Sequence, residues 1–162
     1  MRSTSLVLAL ALIGAASTAP GTAPLVSPAE WINGAATTAS LRGKVVIADV
    51  FTYSCINCKH VIPNLRALYA SLHDKGLEIV GVHRPELSFE RVHANVIENV
   101  KTQGILLPVR FDDDGHVWDT YGIEYWPSQL VFDKHGRLRK TIIGEGQDAD
   151  PNATVKALLA ER

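Results

Sequence analysis

Apolar positions along this chain fall into runs with two distinct periods. Residues 44–52 are almost continuously apolar, which predicts a strand covered on both faces. Beyond it, Val61, Leu65, Leu68 and Leu72 recur at helical spacing and predict a helix over 55–72. Pro63 lies inside that helix, where it removes a donor and crowds the carbonyl four residues back, and Gly76 marks the end. Residues 77–83 read as a second buried strand, and Ser88 as the cap of a helix reaching about 103. A third strand is expected over 105–111, then a turn at Asp112-Asp113-Asp114-Gly115 that caps a short helix over 117–121. Residues 129–133 and 138–143 read as a hairpin through Lys134-His135-Gly136-Arg137. Asp150-Pro151 reads as a cap and first-turn proline opening a last helix to about 160. Upstream, Trp31-Ile32 before Asn33-Gly34 suggests a short strand and a hairpin returning through 37–41. The order β-α-β-α-β-α-β-β-α is that of an α/β fold: a central mixed sheet, parallel strands first and an antiparallel hairpin last, flanked by helices.

The chain has 162 residues, 46% of them hydrophobic, which is enough for one ordinary core and leaves no room for a second domain. A net charge of -1 and few aromatics give no electrostatic case for nucleic acid or an anionic membrane surface. The N-terminus stands apart. One positive residue, an unbroken apolar run over 6–13 and a small-residue stretch over 14–19 read as a secretory signal, ending near residue 19. The run is too short to span a bilayer, and no cysteine follows it to carry a lipid, so no stable membrane anchor is expected. Residues 20–28, with three prolines, read as a flexible lead-in, and 29–162 as the domain. Export to the periplasm or an equivalent oxidising space is the expected localisation.

The only two cysteines are Cys55 and Cys58, at the point where the first long strand hands over to a helix. In an oxidising compartment such a pair could serve as a structural staple. A loop this short removes little chain entropy from the unfolded state, so a redox-active pair is the better reading. At a helix N-terminus, Cys55 meets free backbone N–H groups and the positive end of the helix dipole, which favour a nucleophilic thiolate. Cys58, one turn further in, is the expected resolving thiol. A metal-binding alternative would set copper or zinc on Cys55, Cys58 and His83 or His60. Asp112, Asp113 and Asp114 lack the alternation of a calcium loop and read as turn and cap. His83 itself reads as a hydrogen-bonded structural residue.

Strand 44–52, Cys55-x-x-Cys58-Lys59, Pro63 and Tyr125-Trp126-Pro127 together resemble the thioredoxin superfamily. The likeness is to exported TlpA-like thioredoxins and, through Thr52-Tyr53-Ser54-Cys55-Ile56-Asn57-Cys58 and Gly81-Val82-His83, to the thioredoxin-like domain of DipZ-type electron-transfer proteins. The resemblance covers about residues 29–162 and implies a thioredoxin-like fold and a thiol–disulfide oxidoreductase acting on protein cysteines, with no cofactor and no metal. It places a buried acid at Asp49, a general base for Cys58, and a cis bond at Trp126–Pro127, where the backbone would pair with an incoming peptide. A role as a reductant in periplasmic electron transfer or cytochrome c maturation would imply a membrane electron donor as partner. Two departures stand out: Ser54 occupies the usual tryptophan position, and Val61 the position of a glutamate common in TlpA-like reductants. A thiol peroxidase of the same fold is an alternative, since Thr52 lies three residues before Cys55, but Ala48 stands where its proline is expected.

Overall fold

The computed structural model describes residues 20–161; the signal segment expected over 1–19 lies outside them. Six strands form one sheet: β1 (Trp31–Ile32), β2 (Val45–Phe51), β3 (Leu77–His83), β4 (Val109–Phe111), β5 (Ser128–Phe132) and β6 (Leu138–Ile143). Their spatial order is β1-β4-β3-β2-β5-β6. β2 runs parallel to β3 and β3 to β4, while β5 is antiparallel to both β2 and β6. The parallel strands therefore come first and the hairpin last, and β2 lies in the middle.

Because β2 is covered on both faces, its alternation sorts its side chains between two cores. Val45, Ile47 and Phe51 pack beneath α2 (Ile56–Leu72), α3 (His93–Thr102) and α5 (Ala149–Ala160). Val46, Ala48 and Val50 face α1 (Thr38–Leu41) and α4 (His116–Tyr121). Asp49 follows the first set and so points under α2. The α2 stripe of Val61, Leu65, Leu68 and Leu72 is buried as its spacing requires, with Pro63 inside the helix. Gly76, at φ 101°, ends the 3-10 turn that follows.

The structure departs from the sequence reading at several places. Residues 37–41 form no hairpin strand: Thr37 and Ser40 make a reciprocal capping box, which starts α1, and β1 pairs instead with the distant β4. β4 is confined to Val109–Phe111, although Ile105 and Leu107 are buried in the loop before it. The helix expected from Ser88 is split into a 3-10 turn (Ser88–Arg91) and α3, with Val92 extended between them. Residues 20–28 are anchored: Leu25 is fully buried, and Arg110 donates to the Pro24 carbonyl (2.5 Å) and to Ser27 Oγ (3.0 Å). Here a single leucine and a buried arginine outweigh the proline-rich composition. Asp150 and Pro151 lie within the first turn of α5, two residues further in than a cap and its successor, since Asp148 is the residue preceding the helix. Among the described residues no helix is long and apolar enough to cross a membrane.

Candidate active site

The site forms at the C-terminal end of β2, where the chain turns into α2. Cys55 is the residue capping α2, and its sulfur accepts the backbone N–H of Cys58 at 3.2 Å. The two cysteines are joined as a disulfide, with Cα atoms 5.3 Å apart. Cys55 is partly exposed while Cys58 is buried, so an incoming sulfur reaches Cys55 first. When the pair is reduced, burial pushes the Cys58 thiol up, and the sulfur of Cys55 beside it adds to the effect.

Behind the pair, Asp49 is 6% exposed and its Oδ1 has no hydrogen-bond partner. Burial raises its carboxyl from 3.8 to about 7, an effect that a hydrogen bond from Gln129 on the neighbouring strand partly offsets. Asp49 lies close enough to Cys58 for its charge to act on that thiol. A 20 Å³ cavity between Asp49, Phe51, Ile62, Leu65, Gly81 and Leu107 is walled almost entirely by apolar atoms, so it offers the carboxyl no compensating partner. A carboxyl poised near neutrality next to a thiol that resists ionisation is an arrangement suited to moving one proton.

Beside the pair, the Trp126–Pro127 peptide bond is cis. Trp126 packs on the same core as Cys55, its indole N–H donates to the Arg84 carbonyl (3.1 Å), and its ring lies tilted against that of Trp118 with centroids 4.2 Å apart. The Arg84 N–H in turn donates to the Phe51 carbonyl (2.9 Å), so the ends of β2 and β3 and the Pro127 loop form one braced unit. Ile56 and Tyr125, adjoining Cys55 and Trp126 in the chain, are exposed apolar side chains.

The remaining residues singled out by sequence take bland places. His60 pairs with Glu145 across the exposed side of α2. Asp112 caps α4 by accepting the Val117 and Trp118 N–H groups (2.8 and 3.0 Å), and Asp114 accepts that of His116. His83 corrects the sequence reading. It is fully buried among Phe51, Tyr53 and Phe111, and neither ring nitrogen has a hydrogen-bond partner. Burial therefore lowers it to about 4, and the ring stays neutral. Sequence reasoning missed Glu90 altogether: it is wholly buried in the 3-10 turn beside the site and accepts the Ser54 hydroxyl. A glutamate reaching back to the start of its own turn is a legible pattern, but its bond to a residue 36 positions away leaves no mark in the sequence.

These features can be set beside known proteins. Residues 43–138 match the model of a family described as thioredoxin-like. The DipZ protein of Mycobacterium tuberculosis is 40% identical over 120 residues, which are 74% of this chain but only 17% of that protein's length. The thiol-disulfide oxidoreductase YkuV of Bacillus subtilis is 30% identical over 138 residues, covering 85% of this chain and 93% of that one. Among solved structures, a thiol-disulfide isomerase from Corynebacterium glutamicum superposes with a TM-score of 0.79 at 25% identity, over 89% of this chain and 98% of its own. The chain thus belongs to the thioredoxin-like family.

Proposed function

We propose that this chain is an exported thiol–disulfide oxidoreductase that uses Cys55 and Cys58 to reduce disulfides in other proteins. The observation that carries the reading is the graded setting of the two sulfurs: Cys55 capping α2 and partly exposed, Cys58 buried above a carboxyl held at about 7. In the reduced protein the Cys55 thiolate attacks one sulfur of a substrate disulfide. A mixed disulfide forms and the other substrate sulfur leaves as a thiolate. Cys58 then gives its proton to Asp49 and attacks Cys55 Sγ. The Cys55–Cys58 bond forms, the mixed disulfide breaks, and the second substrate thiolate takes up a proton. Two electrons pass to the substrate. Trp126 and Pro127 offer the backbone edge along which the substrate strand docks.

In an oxidising space a dithiol stays reduced only if it is recharged, so a membrane electron donor is the partner that completes this role. Reduction of disulfides in the cytochrome c maturation pathway is one route that such a reductant could serve. Periplasmic export rests on the N-terminal segment of the sequence. The metal-binding alternative has less support, because among the described residues no three His, Cys, Asp or Glu side chains are placed to hold a metal ion and His83 is walled in by aromatic rings. The test is the reduction potential of the Cys55–Cys58 couple, with insulin reduction in dithiothreitol alongside. A potential nearer about -270 mV than about -120 mV, and activity abolished in Cys55→Ser, are expected. A strongly oxidising value refutes the reductant role, and activity unchanged in Cys55→Ser refutes the exchange role.

A further inference from the structure

The exchange chemistry leaves one buried carboxylate unused. Glu90 has no exposed surface, although its neighbours Leu87, Phe89 and Val92 are each close to half exposed. Its Oε2 accepts the backbone N–H groups of Glu86 (2.7 Å) and Leu87 (2.8 Å), and its Oε1 accepts the Ser54 hydroxyl at 2.5 Å. Burial alone would raise this acid; the bonds from Ser54 and the two amides outweigh it and hold the carboxyl at about 2, so it is ionised at any working pH. A second link runs alongside: the Tyr53 hydroxyl donates to the Phe89 carbonyl (3.5 Å), and the two rings meet edge to face at 6.1 Å. Both links end on the two residues that lead into Cys55.

We propose that Glu90 is a positioning residue for the exchange reaction, acting through Ser54: the fixed carboxylate orients the Ser54 hydroxyl, and so holds Cys55 in the capping geometry that sets its sulfur against the Cys58 N–H. The inference rests on the exchange role of the two cysteines and not on its direction. A hydrogen bond from a hydroxyl to a charged acceptor is among the stronger ones, because it both orders the donor and quenches the charge. Removing the hydroxyl frees the capping loop from its tether, and the Cys55 sulfur is then held less well against the Cys58 N–H. Losing that donor disfavours the thiolate, hence the reduced form.

Ser54 is exposed, so Ser54→Ala removes the bond without touching the core. The expected result is about a tenfold fall in the rate of Cys55 alkylation by iodoacetamide at pH 7, and about a tenfold shift of the equilibrium with glutathione toward the Cys55–Cys58 disulfide, equivalent to about 30 mV for a two-electron couple. Ser54→Thr keeps the hydroxyl and should restore both quantities, a rescue that a merely structural role does not require. Glu90→Gln should shift the potential in the wild-type background and much less in Ser54→Ala, since the two residues act as one unit. Wild-type behaviour in Ser54→Ala, failure of Ser54→Thr to restore it, or additive effects of the two substitutions would overturn the proposal while leaving the exchange role standing. A wild-type protein inert toward glutathione would instead overturn the exchange role, and this inference with it.

Discussion

Replacing Asp49 by asparagine should make this protein more stable, by an amount that depends on pH in a defined way. In the folded chain the carboxyl titrates at about 7, against the ordinary 3.8 of an aspartate in the unfolded chain, because it is buried among apolar walls with one oxygen unpartnered. Between these values the native state holds a proton that the unfolded chain has released. Raising the pH therefore drains stability until about pH 7, and the penalty is constant above that. At 1.36 kcal/mol per pKa unit the full penalty is about 4 kcal/mol, of which about 1.5 kcal/mol is already present at pH 5. Asparagine has nearly the same shape and no titration. Urea unfolding of the oxidised protein, in which neither thiol titrates, should show Asp49→Asn gaining on the wild type from pH 5 to pH 8, with the gap widening by about 2.5 kcal/mol. Any fixed cost of the new amide moves the whole curve and leaves its slope. A gap that stays level within about 0.5 kcal/mol over this range, or narrows as pH rises, would refute the buried-acid account.

Three further outcomes follow from other contacts. Mixing the reduced Cys58→Ser variant with a disulfide-bonded substrate protein should trap a covalent adduct through Cys55, visible by non-reducing mass analysis, whereas Cys55→Ser should give none; the reverse pattern would exchange the two roles. Gly81→Ala should cost about 1–3 kcal/mol in chemical denaturation, since the added Cβ would lie 2.9 Å from Val109 Cγ2 and 3.2 Å from Phe51 Cε1, and a neutral result would mean that this part of the sheet gives way. Asp133 is buried and accepts bonds from the His135 and Arg137 amides and from the Arg137 and Arg139 side chains. Burial opposes its ionisation, yet these donors bring it down to about 2. Its stabilisation, about 2 kcal/mol, is present above pH 3.8 and lost as pH falls toward 2, so Asp133→Asn should be less stable than wild type at pH 7 and converge with it in acid.

What could be read from the chain and what could not divide along the range of the interactions. β2 and α2 were legible because an apolar run and a helical stripe are written within their own residues, and the Cys55–Cys58 spacing belongs to the same short stretch. β1 was legible as a short strand but its pairing was not: two residues carry no period to fix a partner, and that of Trp31 is Arg110, far along the chain. The interrupted helix after Ser88 has the same origin, since Glu90 is committed to the Glu86 and Leu87 amides and to Ser54, and those bonds close a tight turn where propensity favours an α-helix. For His83 the default reading is a hydrogen-bonded residue. Its actual surroundings are rings contributed by two separate segments, Phe51 and Tyr53 from one and Phe111 from the other, and an aromatic cage assembled from such pieces is invisible in either alone.

The anchored segment at the start of the described chain also has a direction. Thr22 lies against Gly136 in the β5–β6 turn, and the Tyr121 hydroxyl donates to the Gly21 carbonyl (2.5 Å). That turn follows Phe132, which pairs with Val46 near the beginning of β2, whereas the cysteines follow the end of β2. Seven strand residues separate these poles, a span of roughly 20 Å at about 3.3 Å per residue. A tether, tag or neighbouring domain joined ahead of residue 20 would leave from the floor of the molecule, and the redox pair would face away from whatever holds it.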